Sequence, residues 1–132
     1  MSQTATAAAT AVSPITWFEI PTADFDRARR FYETILETTL NAMQFGPGRI
    51  AIFPHAEPGI TGCLDESSGS RPADGGTVVY LKVADGRLDR TLARVESAGG
   101  SIATEKIELE GIGWVANILD SEGNRVGLHA IS

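Results

Sequence analysis

The two halves of this 132-residue chain repeat the same order of sequence patterns. In each half, an apolar stretch of period two is followed by a stretch of helical period and then by three short strand-like runs. A repeat of this length rarely arises by chance, so the chain is predicted to contain two copies of one βαβββ unit. A shift of 63 residues aligns Phe18 with Leu81, Glu19 with Lys82, Ile20 with Val83, and Asp26-Arg27 with Asp89-Arg90.

Local patterns give the expected limits of each element. Residues 15–20 alternate as a strand, and Thr22 or Asp24 can cap a helix that runs to Leu36, since both side chains accept hydrogen bonds from the first helical turn. In the second half, Asp85 is the expected cap of a helix that ends at Gly99-Gly100. The other predicted strands cover 39–45, 49–53, 60–64, 77–83, 101–107, 114–119 and 125–131.

The polar stretch between the halves divides the chain into two expected modules. Residues 66–76 carry Gly, Ser and Pro without any period and predict a linker between module one (14–65) and module two (77–132). The Ala-rich residues 1–13 lack a basic segment and predict a disordered tail.

Charge and cysteine content narrow the class of partner. The chain carries 11 basic and 17 acidic side chains, a net charge of −6, which disfavours nucleic acid and anionic lipid. No apolar run approaches the roughly 18 residues of a membrane span. The one cysteine, Cys63, excludes an internal disulfide and predicts a reduced, cytoplasmic setting.

Two stretches resemble a known superfamily: WFEIPTADFDRARRFYETIL, and GGTVVYLKV followed by GIGWVANILDSEGNRVGL. They are similar to the small glyoxalase and bleomycin-resistance-related proteins of the vicinal oxygen chelate superfamily. The resemblance implies an α+β fold in which two tandem βαβββ modules form an open, U-shaped sheet. The helices then lie on the convex face and a binding cleft lies on the concave face. It also implies a homodimer.

Period two and this resemblance together select the expected cleft residues. Trp17 and Tyr80 are expected as aromatic walls, although filling the sheet interior remains an open alternative. Trp114 is expected at the cleft mouth, with core packing as its alternative. The complete set of candidate ligand-binding residues is Trp17, Glu19, Tyr80, Lys82, Trp114, Arg125 and His129.

Catalytic members of the superfamily hold a divalent metal with inward-facing His and Glu residues. At the matching positions this chain offers Ile15 or Trp17, Val78 and Gly127, none of which is a metal ligand. The expectation is therefore a protein without metal or other cofactor. A divalent metal held by an atypical set such as Glu19 and His129 remains the alternative.

Glu19 is the candidate for chemistry, as a tentative catalytic residue. It either forms a structural ion pair with Lys82 or Arg125, or it accepts a hydrogen bond from a ligand or acts as a general acid or base. His55 is expected in a loop. Cys63 is expected to be a small buried hydrophobic residue.

The leading hypothesis is metal-free binding of a small planar or aromatic molecule, as in bleomycin-resistance proteins. One alternative is a metal-dependent lyase, isomerase or dioxygenase with an atypical ligand set. The other is a protein-interaction module.

Overall fold

Two four-stranded mixed sheets and two helices make up the computed structural model, which describes residues 14–56 and 59–132. The predicted tail over residues 1–13 lies outside the described residues. The helices are α1 (Phe25–Leu36) and α2 (Leu88–Ala93). The strands are β1 (Trp17–Pro21), β2 (Asn41–Phe45), β3 (Gly48–Ile52), β4 (Thr61–Asp65), β5 (Tyr80–Lys82), β6 (Ser101–Leu109), β7 (Gly113–Leu119) and β8 (Arg125–Ala130).

The two sheets have the same topology. Their strand orders are β1-β4-β3-β2 and β5-β8-β7-β6, and in each sheet the first strand runs parallel to the fourth. The connection between parallel strands passes through the helix of the same module. The structure confirms the predicted α+β fold of two βαβββ modules with an open, unclosed sheet.

One face of each sheet packs on the helices and forms the core. Alternation along the strands places every second side chain on this face. The core side chains include Ile20 and Leu64 from the first sheet and Leu81, Val126 and Leu128 from the second. Phe31, Tyr32 and Ile35 of α1 are fully buried against them. Phe18 and Ile20 lie on the helix side, as do Leu81 and Val83, the residues aligned with them by the 63-residue shift.

Helix α1 begins after Asp24, whose side chain accepts a 3.0 Å hydrogen bond from the N–H of Arg27. Of the two caps considered, the structure thus selects Asp24. The helix ends at Leu36, and its C-cap, Glu37, has the left-handed φ of 53°. The Glu37 carboxylate binds Arg90 at 2.8 Å and Arg94 at 2.6 Å, which joins the end of α1 to the region of α2.

The second module is less regular than its sequence predicts. Asp85 is not the helix cap, because Gly86 adopts a positive φ of 76° and the N-cap falls at Arg87, without a side-chain hydrogen bond. Helix α2 ends at Ala93 rather than at the predicted Gly99, since the N–H groups of Arg94 and Val95 bond to carbonyls three residues back. Strand β5 is limited to three residues.

Within residues 14–56 and 59–132, no helix has both the length and the apolar character needed to cross a bilayer.

Candidate functional site

The sheet faces turned away from the helices form a surface called here the concave face. Cross-strand partners in a sheet share a face, so the strand register identifies its members. On the first sheet they are Trp17, Glu19, Thr61, Cys63, Asp65, Ile50 and Ile52. On the second they are Tyr80, Lys82, Arg125, Gly127, His129, Asn117 and Val115. Six of the seven predicted ligand-binding residues lie on the concave face.

The ring of Tyr80 lies over Gly127, its partner on the neighbouring strand β8. A Cβ atom added to Gly127 would collide with three carbons of the ring. Tyr80 keeps 48% of its surface exposed. Because residue 127 has no side chain, the ring can lie close to the sheet and still present an accessible aromatic surface.

Four polar side chains form a continuous hydrogen-bonded chain beside this ring. Nε of Arg125 donates to Oδ1 of Asp74 at 2.7 Å, and Nη1 donates to Oδ1 of Asn117 at 3.2 Å. Nδ2 of Asn117 donates to the hydroxyl oxygen of Tyr80 at 3.0 Å. The position of the Tyr80 hydroxyl is therefore fixed by the protein itself.

Within the described residues Glu19 forms no ion pair with Lys82 or Arg125, which was one of the two roles considered for it. Its Oε2 instead accepts a 3.2 Å hydrogen bond from Nε1 of Trp17, on the same strand. Arg125 is paired with Asp74, and Lys82 forms no ion pair in the described part of the chain. Glu19 and Lys82 are both exposed. Both charges are thus accessible to a ligand on the concave face.

His129 lies on the concave face but uses one ring nitrogen within the protein. Its Nε2 is 2.8 Å from the carbonyl oxygen of Ile112. Because a carbonyl oxygen only accepts, Nε2 carries the proton in this contact. This nitrogen is then not free to bind a metal.

Trp114 is separated from the other candidates. It is half-buried and packs against the hydrophobic core, on the opposite face of β7 from Val115 and Asn117. Nζ of Lys106 lies 4.9 Å from the centre of its ring. Trp114 therefore packs in the core, which was the alternative to a place at the cleft mouth, and it does not lie on the concave face. His55 lies in an exposed loop after β3, as expected.

Among the residues that the structure describes, one cluster could offer metal ligands. Ligand atoms of Glu19, Cys63 and Asp65 lie within 4.8 Å of one another. Cys63 is fully buried, and burial, followed by the charges of Glu19 and Asp65, raises the pKa of its thiol to about 12. A set of one sulfur and two carboxylates is a poor match for a hard cation such as Mn(II), which prefers oxygen ligands. The cluster therefore does not fit a manganese ion.

Two cavities adjoin the concave face. The larger, about 830 Å³, runs along the free edge of β5, with apolar walls that include Phe18, Phe53 and Ile60. Tyr80 and Lys82 are the predicted site residues that line it. The smaller, about 160 Å³, lies between Glu19 and Arg125. The larger volume is in the range of small-molecule sites.

Sequence reasoning missed Asn117 and Asp74, which orient Arg125 and Tyr80. A signal was present for Asn117, which is the one amide in the otherwise apolar strand WVANIL. Nothing comparable marked Asp74, because it lies in the polar linker among other residues of the same kind.

Comparisons with known proteins agree with this architecture. Residues 14–49 match the family described as bleomycin resistance protein-like N-terminal. Over 108 residues the chain is 27% identical to the putative glyoxylase CFP32 of Mycobacterium bovis and to that of Mycobacterium tuberculosis. These alignments cover 81% of this chain, and the chain spans about 40% of the length of these curated relatives.

Solved structures show the same fold. A glyoxalase/bleomycin resistance protein from Albidiferax ferrireducens has a TM-score of 0.71 at 13% identity, over 89% of this chain and 98% of its own. TnmS3, an antibiotic binding protein from Streptomyces, has a TM-score of 0.67 at 24% identity, over 92% and 98%. A point mutant of the fosfomycin resistance protein FosX of Listeria monocytogenes, complexed with Mn(II), has a TM-score of 0.64 at 16% identity, over 92% and 94%.

The fold is thus that of the glyoxalase/bleomycin-resistance class. Together with the sequence matches, it supports the vicinal oxygen chelate superfamily, as the sequence predicted.

Proposed function

We propose that this protein binds a small planar organic molecule on the concave face at Tyr80, without a metal. The observation that carries the proposal is the position of the Tyr80 ring over Gly127, which offers a planar ligand an aromatic surface to stack on. Trp17, 43% exposed on the first sheet, supplies a second aromatic side chain. Lys82 and Glu19 supply charges of both signs beside them.

The neighbouring groove supports the same proposal. Its apolar walls and its volume of about 830 Å³ suit the body of a small ligand, and Tyr80 and Lys82 lie where the groove meets the concave face. Among proteins with this fold, TnmS3 is an antibiotic binding protein, which favours sequestration or resistance as the biological role.

Equilibrium dialysis with fluorene, a rigid planar hydrocarbon, tests the proposal in buffer that contains EDTA. We expect saturable binding that EDTA leaves unchanged. Tyr80→Ala and Trp17→Ala are each expected to weaken it by about tenfold, the loss of one aromatic contact. Trp114→Phe is the matched control, because Trp114 lies on the core face. Binding that survives both alanine substitutions contradicts the proposal.

A metal-dependent enzyme is the second candidate, because Glu19, Cys63 and Asp65 converge. Zinc accepts both thiolate and carboxylate ligands. Elemental analysis of untagged protein, purified without added metal or chelator, separates the two candidates. About one equivalent per chain, lost in Glu19→Ala, favours the enzyme, and a metal-free protein favours binding alone.

We also propose the homodimer that the resemblance implies. Several large apolar side chains are exposed near the β6–β7 turn, with Ile107 at 58% and Ile112 at 57%, and a second copy would shield such a surface. Light scattering coupled to size-exclusion chromatography gives the mass directly. A monomer at tens of micromolar concentration contradicts this part of the proposal.

A further inference from the structure

The hydrogen-bonded chain from Asp74 to Tyr80 has a fixed direction. A guanidinium group only donates, so the Asn117 atom that meets Nη1 of Arg125 must be the amide oxygen. The amide NH₂ group then necessarily points to Tyr80. This assignment follows from the chemistry of arginine and does not depend on telling nitrogen from oxygen in the amide.

The direction of this chain determines the role of the Tyr80 hydroxyl. Its oxygen accepts the hydrogen bond from Asn117, so its own hydrogen remains to be donated elsewhere. No other described residue hydrogen-bonds to this hydroxyl. The positive charge of Arg125 reinforces the direction, because hydrogen bonds in a chain polarise one another.

We infer that Tyr80 is a fixed hydrogen-bond donor that selects planar ligands carrying an acceptor oxygen, such as an aromatic ketone. The inference rests on the proposed function and adds to it the chemical class of the ligand. A ligand with an N–H or O–H at the same position would direct its hydrogen against that of Tyr80. The site therefore distinguishes ligands of the same shape by whether one of their atoms accepts or donates a hydrogen bond.

Three tricyclic probes of matched shape test this selectivity. Fluorenone carries a carbonyl acceptor, fluorene a methylene group and carbazole an N–H donor at the corresponding ring position. By equilibrium dialysis, we expect fluorenone to bind about fivefold to tenfold more tightly than fluorene, the worth of one hydrogen bond. Carbazole is expected to bind no more tightly than fluorene.

Two substitutions identify the source of the preference. Tyr80→Phe keeps the ring and removes the hydroxyl, so fluorenone should fall to the affinity of fluorene while fluorene itself is unchanged. Asn117→Asp replaces the NH₂ donor with an acceptor that takes the hydrogen of Tyr80. The hydroxyl oxygen is then the atom available to the ligand, and we expect carbazole to bind more tightly than fluorenone.

Each result has one meaning. Equal binding of fluorenone and fluorene to the unsubstituted protein overturns the inference and leaves the proposed function standing. A preference for fluorenone that survives Tyr80→Phe or Asn117→Asp also overturns it, because the donor is then another group. No binding of any probe overturns both the inference and the proposed function.

Discussion

The hydroxyl of Tyr32 donates a 2.6 Å hydrogen bond to Oδ2 of Asp120, joining α1 of the first module to the β7–β8 turn of the second. Tyr32 is fully buried and Asp120 is 3% exposed. Oδ1 of Asp120 also accepts the N–H groups of Glu122 and Asn124, and Oδ2 accepts from Nδ2 of Asn124. The carboxylate is thus fully hydrogen-bonded at the joint between the modules.

Tyr32→Phe should lower the free energy of unfolding by about 1–2 kcal/mol, because Asp120 loses a buried charge-assisted hydrogen bond and keeps its other partners. Urea denaturation at pH 7 measures the change. Tyr80→Phe is the matched control, since its hydroxyl is on an exposed side chain, and it should change stability by less than about 0.5 kcal/mol. Equal effects of the two substitutions would contradict a structural role for the buried pair.

A second contact at the same joint predicts a response to acid. Burial raises the pKa of Glu122, but hydrogen bonds from Arg27 and from the N–H groups of Asp24 and Ala23 outweigh it, so the net pKa lies below the usual value. Because its pKa is lower in the folded protein, ionised Glu122 contributes to the free energy of unfolding. This contribution is complete above the unfolded-state pKa of about 4.3 and is lost as pH falls below it.

We therefore expect Glu122→Gln to be less stable than the unsubstituted protein at pH 7, with the difference narrowing as pH falls below about 4.3. Denaturation curves between pH 3 and pH 7 measure it. Glu110→Gln, in the exposed β6–β7 turn, is the control and should leave the whole profile unchanged. A difference independent of pH would mean that the glutamate charge contributes nothing.

The fold was accessible from the sequence because both modules repeat one pattern. Phe18 and Ile20 lie on the core face of the first module, and Leu81 and Val83, 63 positions further on, lie on the core face of the second. The end of α2 could not be predicted from the sequence. It depends on a change in the backbone hydrogen bonds, from carbonyls four residues back to carbonyls three residues back, and not on any stop residue. Local propensity does not contain that information.

The candidate site was accessible only in part. Period two, together with the resemblance, predicted that Trp17, Glu19, Tyr80 and Lys82 share the concave face, and the register agrees. It did not predict that Arg125 pairs with Asp74 rather than with Glu19, since partner choice depends on how the linker passes the sheet. Trp114 was expected at the cleft mouth, but it alternates with Val115 and Asn117 along β7 and therefore lies on the core face.

Cys63 is predicted to be unreactive in the folded protein. Its thiol is buried and its pKa is raised to about 12, so very little thiolate exists at pH 8. Ellman's reagent should give no reaction over an hour at pH 8 and one equivalent after addition of guanidinium chloride. A rapid reaction of the native protein would show that Cys63 is accessible.

The same thiol also predicts sensitivity to alkali. Its folded pKa is raised above the unfolded value of about 8.5, so the stability it contributes is complete below pH 8.5 and is lost as pH rises toward 12. Cys63→Ala lacks this titration. Its free energy of unfolding should therefore fall less steeply between pH 8 and pH 10 than that of the unsubstituted protein, and parallel profiles would contradict the prediction.

Gly127→Ala should displace the Tyr80 ring, because the added methyl group occupies the space of the ring. We expect a loss of about 1–3 kcal/mol in the free energy of unfolding, typical of overpacking, and a loss of fluorene binding comparable to that in Tyr80→Ala. Gly75→Ala is the matched control, since its Cβ meets no atom within 4 Å, and it should be nearly neutral for stability.

A double substitution separates the collision from any other effect of the methyl group. In Gly127→Ala with Tyr80→Ala the collision is gone, so its stability should match that of Tyr80→Ala within about 0.5 kcal/mol. If the double variant is as unstable as the sum of the two single variants, the methyl group acts on the backbone of β8 and not on the ring. Wild-type affinity for fluorene in Gly127→Ala would show that the position of the ring over Gly127 is not required for binding.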